Sequence, residues 1–416
     1  MVAGVLAVGL LAAPVPAIGA PPPPRADASP AQVVPCPRVA PPTIPPTPQS
    51  PPRDPAAPAV GGAPLATTGL AVPDGVPAPP ALSAMSWVVA DLDSGTVLGA
   101  CDPHLARRPA SVQKLLLAET ALPKLDPAQV VQATAQDLDL PRDSSAVGMI
   151  EGGQYPVSTL WYGLLLESGN DTANALARVA GGDGGVPATI AAMNAEARRL
   201  GADDTHAVTP SGLDADGQFT SAYDLALIAR ADLARPDFVR YDTELRFQWP
   251  AQPPKDPRGF QIQNENKLLT SYQGALGGKT GFTDQARHTY VGAAQRGGRR
   301  LVVTLMGAEI VPARAWQQGT MLLDWAFGLP AAASVGHLVT PEEAAALHTP
   351  PSAARAQAGM GEVHAAPSGA ADALSPVLLL GAVPLAVAVI LLPLLLNRRR
   401  RRPARVPAGP RRPARR

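Results

Sequence analysis

With 416 residues the chain can hold one or two domains with a real core. Its formal net charge is +1, yet ten of its 35 basic residues are arginines after Leu396, where no acid occurs; the remainder carries 25 bases against 34 acids, a net of −9. A mildly acidic body of this kind excludes nucleic acid as its partner, because the charge that attracts phosphate is missing.

Met1 to Ala20 is an apolar run too short to span a bilayer, and Ala17 and Ala20 are candidate cleavage points, so residues 1–20 read as a secretory signal peptide. The absence of Lys or Arg ahead of the run is atypical. Pro21 to Pro80 is about one third proline with few large apolar side chains. It cannot bury enough surface to fold, so residues 21–85 are expected to be an extended, partly polyproline-II extracellular arm. A stiff spacer through a cell wall suits that position better than a polyproline ligand for signalling domains. Cys36 and Cys101 are the only cysteines. Outside the cell they can form a disulfide that ties the arm to the folded domain, with two unrelated thiols as the alternative. Neither has the spacing of a metal site, and no metal is expected.

Order is expected from Ser86. Trp87 to Leu92 and Val97 to Ala100 flank Asp93-Ser94-Gly95 as a β-hairpin. Pro109 blocks a helix from upstream, so a helix is predicted to start at Ala110 or Ser111 and continue through the apolar run Leu115 to Ala118. Ser111 and Lys114 then share one face of its first turn, where the helix dipole favours developing negative charge. A buried lysine loses basicity and can take the serine proton, making Oγ a nucleophile. Alone, Ser-x-x-Lys is a weak signal.

Helical periodicity dominates from Val157 to Leu200, interrupted at Glu167-Ser168-Gly169-Asn170-Asp171 and at the glycine cluster 181–185. A core has no use for the first interruption, whereas a hydroxyl and an amide on a loop suit proton relay and substrate binding. Thr220 to Asp224 opens a further helix. Gly277 to Thr283 reads as a glycine-flanked turn in which Lys279 and Thr280 offer charge and a hydroxyl to a carboxylate. Strands are expected at His288–Ala294 and Leu301–Met306, then a helix over Arg314–Phe327 packing through Trp316, Leu322, Leu323 and Trp325. Strands at both sequence ends around a helical insert predict an α/β fold closed by the two chain ends, not serial βαβ units. Residues 331–374 return to an Ala/Pro/Gly linker composition. Val377 to Leu396 is uncharged and followed by five arginines, so residues 375–397 are expected to be a transmembrane helix and 398–416 a basic cytoplasmic tail. The catalytic part would then be extracellular on a single-pass membrane protein.

Ser111-x-x-Lys114, Ser168-Gly169-Asn170 and Lys279-Thr280-Gly281, in that order, match the three-part signature of penicillin-binding proteins and serine β-lactamases. Leu164 to Asp171, Pro210 to Thr220 and Lys279 to Asp284 narrow this: the region from Ser86 to Gly328 resembles the low-molecular-mass D-alanyl-D-alanine carboxypeptidases of the S11 serine peptidase family. The resemblance implies a penicillin-binding protein/serine β-lactamase-like fold, a mostly antiparallel sheet flanked by helices plus an all-helical lobe, spanning residues 86–330. It implies that Ser111 attacks the D-Ala-D-Ala carbonyl of a peptidoglycan stem peptide, with Lys114 as base, and that β-lactams acylate the same serine. Ser168 and Asn170 would complete the proton network and hold substrate, with Lys279 assisting electrostatically. The N–H groups of Ser111 and Phe282 would hold the oxyanion, and Thr280 and Arg314 the terminal carboxylate. No cofactor is implied.

Departures exist. Family members often read Ala-Gly where this chain has Ala286-Arg287-His288, and many carry a β-rich domain for which residues 331–375 are too few. His288 and His206 are expected to be packing or surface residues. A β-lactamase reading lacks a Glu-x-x-Leu-Asn stretch between Asn170 and Lys279. Peptidoglycan DD-endopeptidase action and a non-catalytic wall-binding module are the alternatives.

Overall fold

The computed structural model describes residues 33–39, 60–311 and 313–349. The expected signal peptide, membrane helix and basic tail lie outside the described residues, as do parts of the arm and linker. Among the described residues no helix is long and apolar enough to cross a membrane.

In chain order the main elements are β1 (Leu70–Ala71), β2 (Ser86–Asp91), β3 (Thr96–Cys101), α1 (Gln113–Ala121), β4 (Val130–Gln132) and β5 (Gln154–Pro156). Then come α2 (Val157–Leu166), α3 (Asn170–Ala180), α4 (Gly185–Leu200), α5 (Ala222–Leu233), α6 (Pro236–Asp242), β6 (Arg246–Trp249) and β7 (Phe260–Gln263). The chain closes with α7 (Leu268–Ser271), β8 (Ala275–Thr283), β9 (Arg287–Arg296), β10 (Arg299–Ala308), α8 (Ala315–Phe327), β11 (Gly336–His337) and α9 (Pro341–Leu347). The main sheet runs β1-β3-β2-β10-β9-β8, with β11 also on β3, and every pairing is antiparallel.

Side chains alternate across this sheet with period two. Val88, Ala90, Val302 and Met306 face one core with α1 to α5, while Trp87, Val89, Leu301, Val303 and Leu305 face a second core with Leu322 and Leu323 of α8. Helices thus cover both faces, and α2, α3 and α4 form the helical lobe beside the sheet. Within the first core α1 is buried on every side, from Gln113 to Ala121, which is why its sequence shows little amphipathic pattern.

The hairpin, the helices between Val157 and Leu200 and the final strand pair stand where the sequence pattern puts them. Three features differ. Gly277 to Thr283 is not a turn but most of β8, whose nine residues lie along β9; Gly, Lys and Thr give it little strand signal, and the pairing partner supplies the extended conformation. The buried face of α8 is Ala315, Gln318, Gly319, Leu322, Leu323 and Ala326. Its two tryptophans are only partly buried, Trp325 edge-on to Trp87 with ring centroids 6.1 Å apart.

Finally, the expected domain limits at Ser86 and Pro330 both fall inside the fold. Upstream, Leu65, Leu82 and Ala84 are buried and β1 pairs with β3; downstream, Leu338, Val339 and Ala344 are buried and β11 pairs with the same strand. These short strands cover the β3 edge, which would otherwise present unpaired backbone groups. Cys36 and Cys101 are disulfide-bonded, and the strap around Cys36 is held further by Leu70 N–H donating to Val34 O at 2.7 Å and by Arg38 on Asp102 at 3.3 Å. With the two cysteines 65 positions apart in the chain, the closed loop restricts the unfolded chain by about 4 kcal/mol.

Candidate active site

Ser111 sits in a 3-10 turn, Ala110–Val112, that runs directly into α1. Ala110 has φ +50°, a left-handed conformation that costs a non-glycine residue energy and aims the turn at the sheet edge. Gly212, itself at φ +90°, lies against the Ala110 carbonyl, leaving no room for a Cβ. On the other side Gly281 of β8 approaches so closely that a Cβ there would stand 2.8 Å from Ser111 N. Thr289 of β9 completes the clamp by donating to Pro109 O at 2.8 Å. The serine is thus held from both sides.

Lys114 is fully buried behind Ser111. Its Nζ lies 2.9 Å from Ser111 Oγ and donates to Asn170 Oδ1 at 2.7 Å and to Ser211 O at 2.9 Å. Burial lowers its pKa well below the ordinary lysine value, and the positive charge of Lys279 adds to that, against Glu265 and Asp171. A neutral amine has two N–H groups and one lone pair. The two N–H groups match the two carbonyl oxygens, and the lone pair is left for the Ser111 hydroxyl.

Ser168 occupies the bend between α2 and α3 at φ +60°, and Lys279 Nζ donates to its Oγ at 2.9 Å and to Thr280 O at 3.0 Å. Lys279 is also buried, and burial lowers its pKa, opposed by Glu265 and Asp242. Asn170 begins α3 and is anchored by the next residue: the buried Asp171 carboxylate accepts from the N–H groups of Val147, Gly148, Met149 and Thr172 at 2.9–3.0 Å. Asp242 of α6 accepts the Gly278 N–H at 2.6 Å beneath β8, and burial pushes its carboxyl up to about 7.

A cavity of about 1210 Å³ opens over these groups. Ser111, Ser168, Asn170, Thr280, Gly281, Phe282 and Arg314 all line it, and the two lysines lie behind its wall. The structure therefore brings every expected site residue to one place. Phe282 is exposed, with its ring on His288 at 4.6 Å between centroids. His288 lies in the cavity wall with its pKa lowered, first by burial. His206 is not among the residues that line it and is bonded through Nδ1 to Gly217 O at 2.8 Å. Ser211, Asp171, Asp242 and Glu265 are members that sequence reasoning did not assign. Asp171, adjoining Asn170, and Ser211, within the Pro210 to Thr220 stretch, had a local signal.

A serine hydroxyl on a buried lysine of lowered pKa, a second serine on a second buried lysine and a side-chain amide on the first lysine define a serine acyl-transfer enzyme of the penicillin-recognising class. A family model described as D-alanyl-D-alanine carboxypeptidase matches residues 74–310. The chain belongs to that family of serine peptidases. It is 44% identical over 272 residues to D-alanyl-D-alanine carboxypeptidase DacB2 of Mycobacterium tuberculosis, covering 64% of this chain and 88% of that protein. It is 36% identical over 260 residues to DacD of Salmonella typhimurium, covering 60% of this chain and 64% of the relative. A crystal structure of D-alanyl-D-alanine carboxypeptidase from Mycobacterium tuberculosis has a TM-score of 0.60 at 44% identity, over 64% of this chain and 99% of that one. The Streptomyces K15 DD-transpeptidase has a TM-score of 0.58 at 27% identity, over 61% and 100%.

The close approach of Gly281 predicts that Gly281→Ala slows acylation by penicillin by about 100-fold, because the methyl group displaces β8 from Ser111. Stopped-flow acylation, with thermal melting to confirm folding, checks this; a folded variant acylated at the parent rate would contradict it.

Proposed function

We propose that the chain removes the terminal D-alanine from peptidoglycan stem peptides, with Ser111 as nucleophile and Lys114 as general base. The observation that carries this reading is the three-way contact of the buried Lys114 with Ser111 Oγ, Asn170 Oδ1 and Ser211 O. Lys114 takes the Ser111 proton as Oγ bonds to the carbonyl carbon between the two D-alanines. The oxyanion forms between the N–H groups of Ser111 and Phe282, and losing one such donor generally costs ~2.7–4 kcal/mol of transition-state stabilisation. The C–N bond breaks, and the proton reaches the leaving amine through Ser168, which Lys279 holds. Asn170 orients the substrate amide, while Thr280, Lys279 and Arg314 receive the terminal carboxylate. Water then attacks the ester, and Ser111 regains its proton. A β-lactam enters the same way and leaves its acyl group on Ser111.

The same reading places the catalytic domain outside the cell. Residues 1–20 direct export, the proline-rich arm spans wall material, and Val377 to Leu396 anchors the chain with its arginines in the cytoplasm. The supporting observation is the sequence of the two apolar runs and the arginine cluster that follows the second.

Two outcomes are expected. The full chain releases D-alanine from a peptide ending in Lys-D-Ala-D-Ala, penicillin blocks the release, and Ser111→Ala abolishes it. Penicillin acylation with no D-alanine release would refute the carboxypeptidase assignment. Truncation before Val377 moves the penicillin-binding chain from the membrane pellet to the soluble fraction; retention in the pellet would refute the anchor.

A further inference from the structure

The turn that joins β8 to β9 carries a strained residue that the chemistry above does not use. Arg287, the first residue of β9, has φ +59°, in the left-handed region that favours glycine. The sequence departure at Ala286-Arg287-His288 falls at this turn. A non-glycine residue keeps such a conformation only where its surroundings hold it. Two contacts of its side chain do so. Arg287 Nε and Nη2 donate to Glu309 Oε1 and Oε2 at 2.9 and 3.0 Å, and the guanidinium lies over the Phe282 ring, 5.6 Å from its centroid.

The two ends of this chain of contacts differ in how firmly they are held. Glu309 is fixed through its backbone: its N–H donates to Ser83 Oγ at 3.0 Å, and its carbonyl accepts from Ser83 Oγ at 3.1 Å and from Gln318 Nε2 of α8 at 2.9 Å. Ser83 and Gln318 are buried, so the carboxylate stands on a rigid base. An arginine whose fork is bonded twice to such a base has little freedom of its own. Phe282 is the opposite. Its side chain is 48% exposed, so core packing does not fix it; its ring rests on His288, its cross-strand partner in β9, and under Arg287. The next residue is braced as well: Thr283 Oγ1 donates to Asp214 Oδ1 at 3.0 Å and accepts the Ala286 N–H at 2.9 Å.

We propose that Arg287, locked by Glu309, is a positioning residue that clamps the exposed Phe282 ring and so keeps the Phe282 N–H aimed at the oxyanion. Neither Arg287 nor Glu309 lines the cavity, so neither meets the substrate, and the effect passes through Phe282. The inference rests on the carboxypeptidase reading above for the oxyanion role of that N–H. Negative charge builds on the carbonyl oxygen when the serine ester forms and again when water attacks it. A loosened Phe282 therefore slows both acylation and deacylation, and leaves the first, non-covalent binding of penicillin unchanged.

The test uses the full chain with Arg287→Gly, Glu309→Gln and the double variant. Glycine suits φ +59° and relieves the strain, and the ion pair it removes is partly exposed, so the thermal midpoint of Arg287→Gly stays within about 3 °C of the parent. Its penicillin acylation and the decay of its acyl-enzyme each slow by about 10-fold, with the initial dissociation constant unchanged. Glu309→Gln, which leaves the turn itself intact, does the same, and the double variant loses no more than either single one. In chain carrying ¹⁵N only in its six phenylalanines, the heteronuclear NOE of the Phe282 amide falls in Arg287→Gly while the other five hold. A folded Arg287→Gly with parent rates, a loss confined to the dissociation constant, or losses that add in the double variant overturns the proposal. If penicillin does not acylate the parent, the carboxypeptidase reading falls, while an unchanged Phe282 NOE in Arg287→Gly overturns the clamp by itself.

Discussion

The site depends on keeping a lysine out of water. A fully buried ammonium would lose its hydration, and among the described residues no acid is bonded directly to Lys114; its contacts are a hydroxyl, an amide oxygen and a backbone carbonyl. That environment favours the neutral amine, and it also removes the motional freedom an exposed lysine would have. The cost of the arrangement is borne by the packing of α1, which is buried along its whole length within the larger core.

Each partner of Lys114 arrives from a different part of the chain. Ser111 lies in the 3-10 turn that runs into α1, Asn170 opens α3 in the helical lobe, and the Ser211 carbonyl belongs to the segment between α4 and α5. The sheet contributes β8, whose edge carries Lys279, Thr280 and Gly281 past the nucleophile. β8 is held to β9 along its length, so the distance from Gly281 to Ser111 is set by a sheet rather than by a loop. The left-handed backbone at Ala110 and Ser168 fits this picture: both residues lie where the lobe meets the sheet, and packing around them holds conformations the chain would otherwise avoid.

What the sequence revealed follows the range of the interactions involved. Ser111 and Lys114 were legible because a three-residue spacing on a helix guarantees a shared face. Ser168, Asn170 and Lys279 to Gly281 were legible through the order of three short motifs, and Arg314 only through the family resemblance. The Ser211 carbonyl was not, since a backbone oxygen has no residue-type signature. Asp242 and Glu265 were not, because packing between segments far apart in sequence brings one beneath Gly278 and the other to the cavity wall. The domain ends were misjudged because a handful of core residues, Leu65, Leu82, Leu338 and Val339 among them, are diluted in a proline- and alanine-rich background. β8 looked like a turn because glycines that admit close backbone approach also weaken a strand pattern.

The central claim is that one serine is activated by one buried neutral lysine. Its most direct test is peptide mapping by mass spectrometry of the full chain after brief exposure to penicillin, beside Lys114→Met. The account predicts a single acyl adduct on the peptide that contains Ser111, and no adduct at neutral pH in a folded Lys114→Met variant. An adduct on Ser168 or Ser211, or acylation of Lys114→Met at the parent rate, would contradict it.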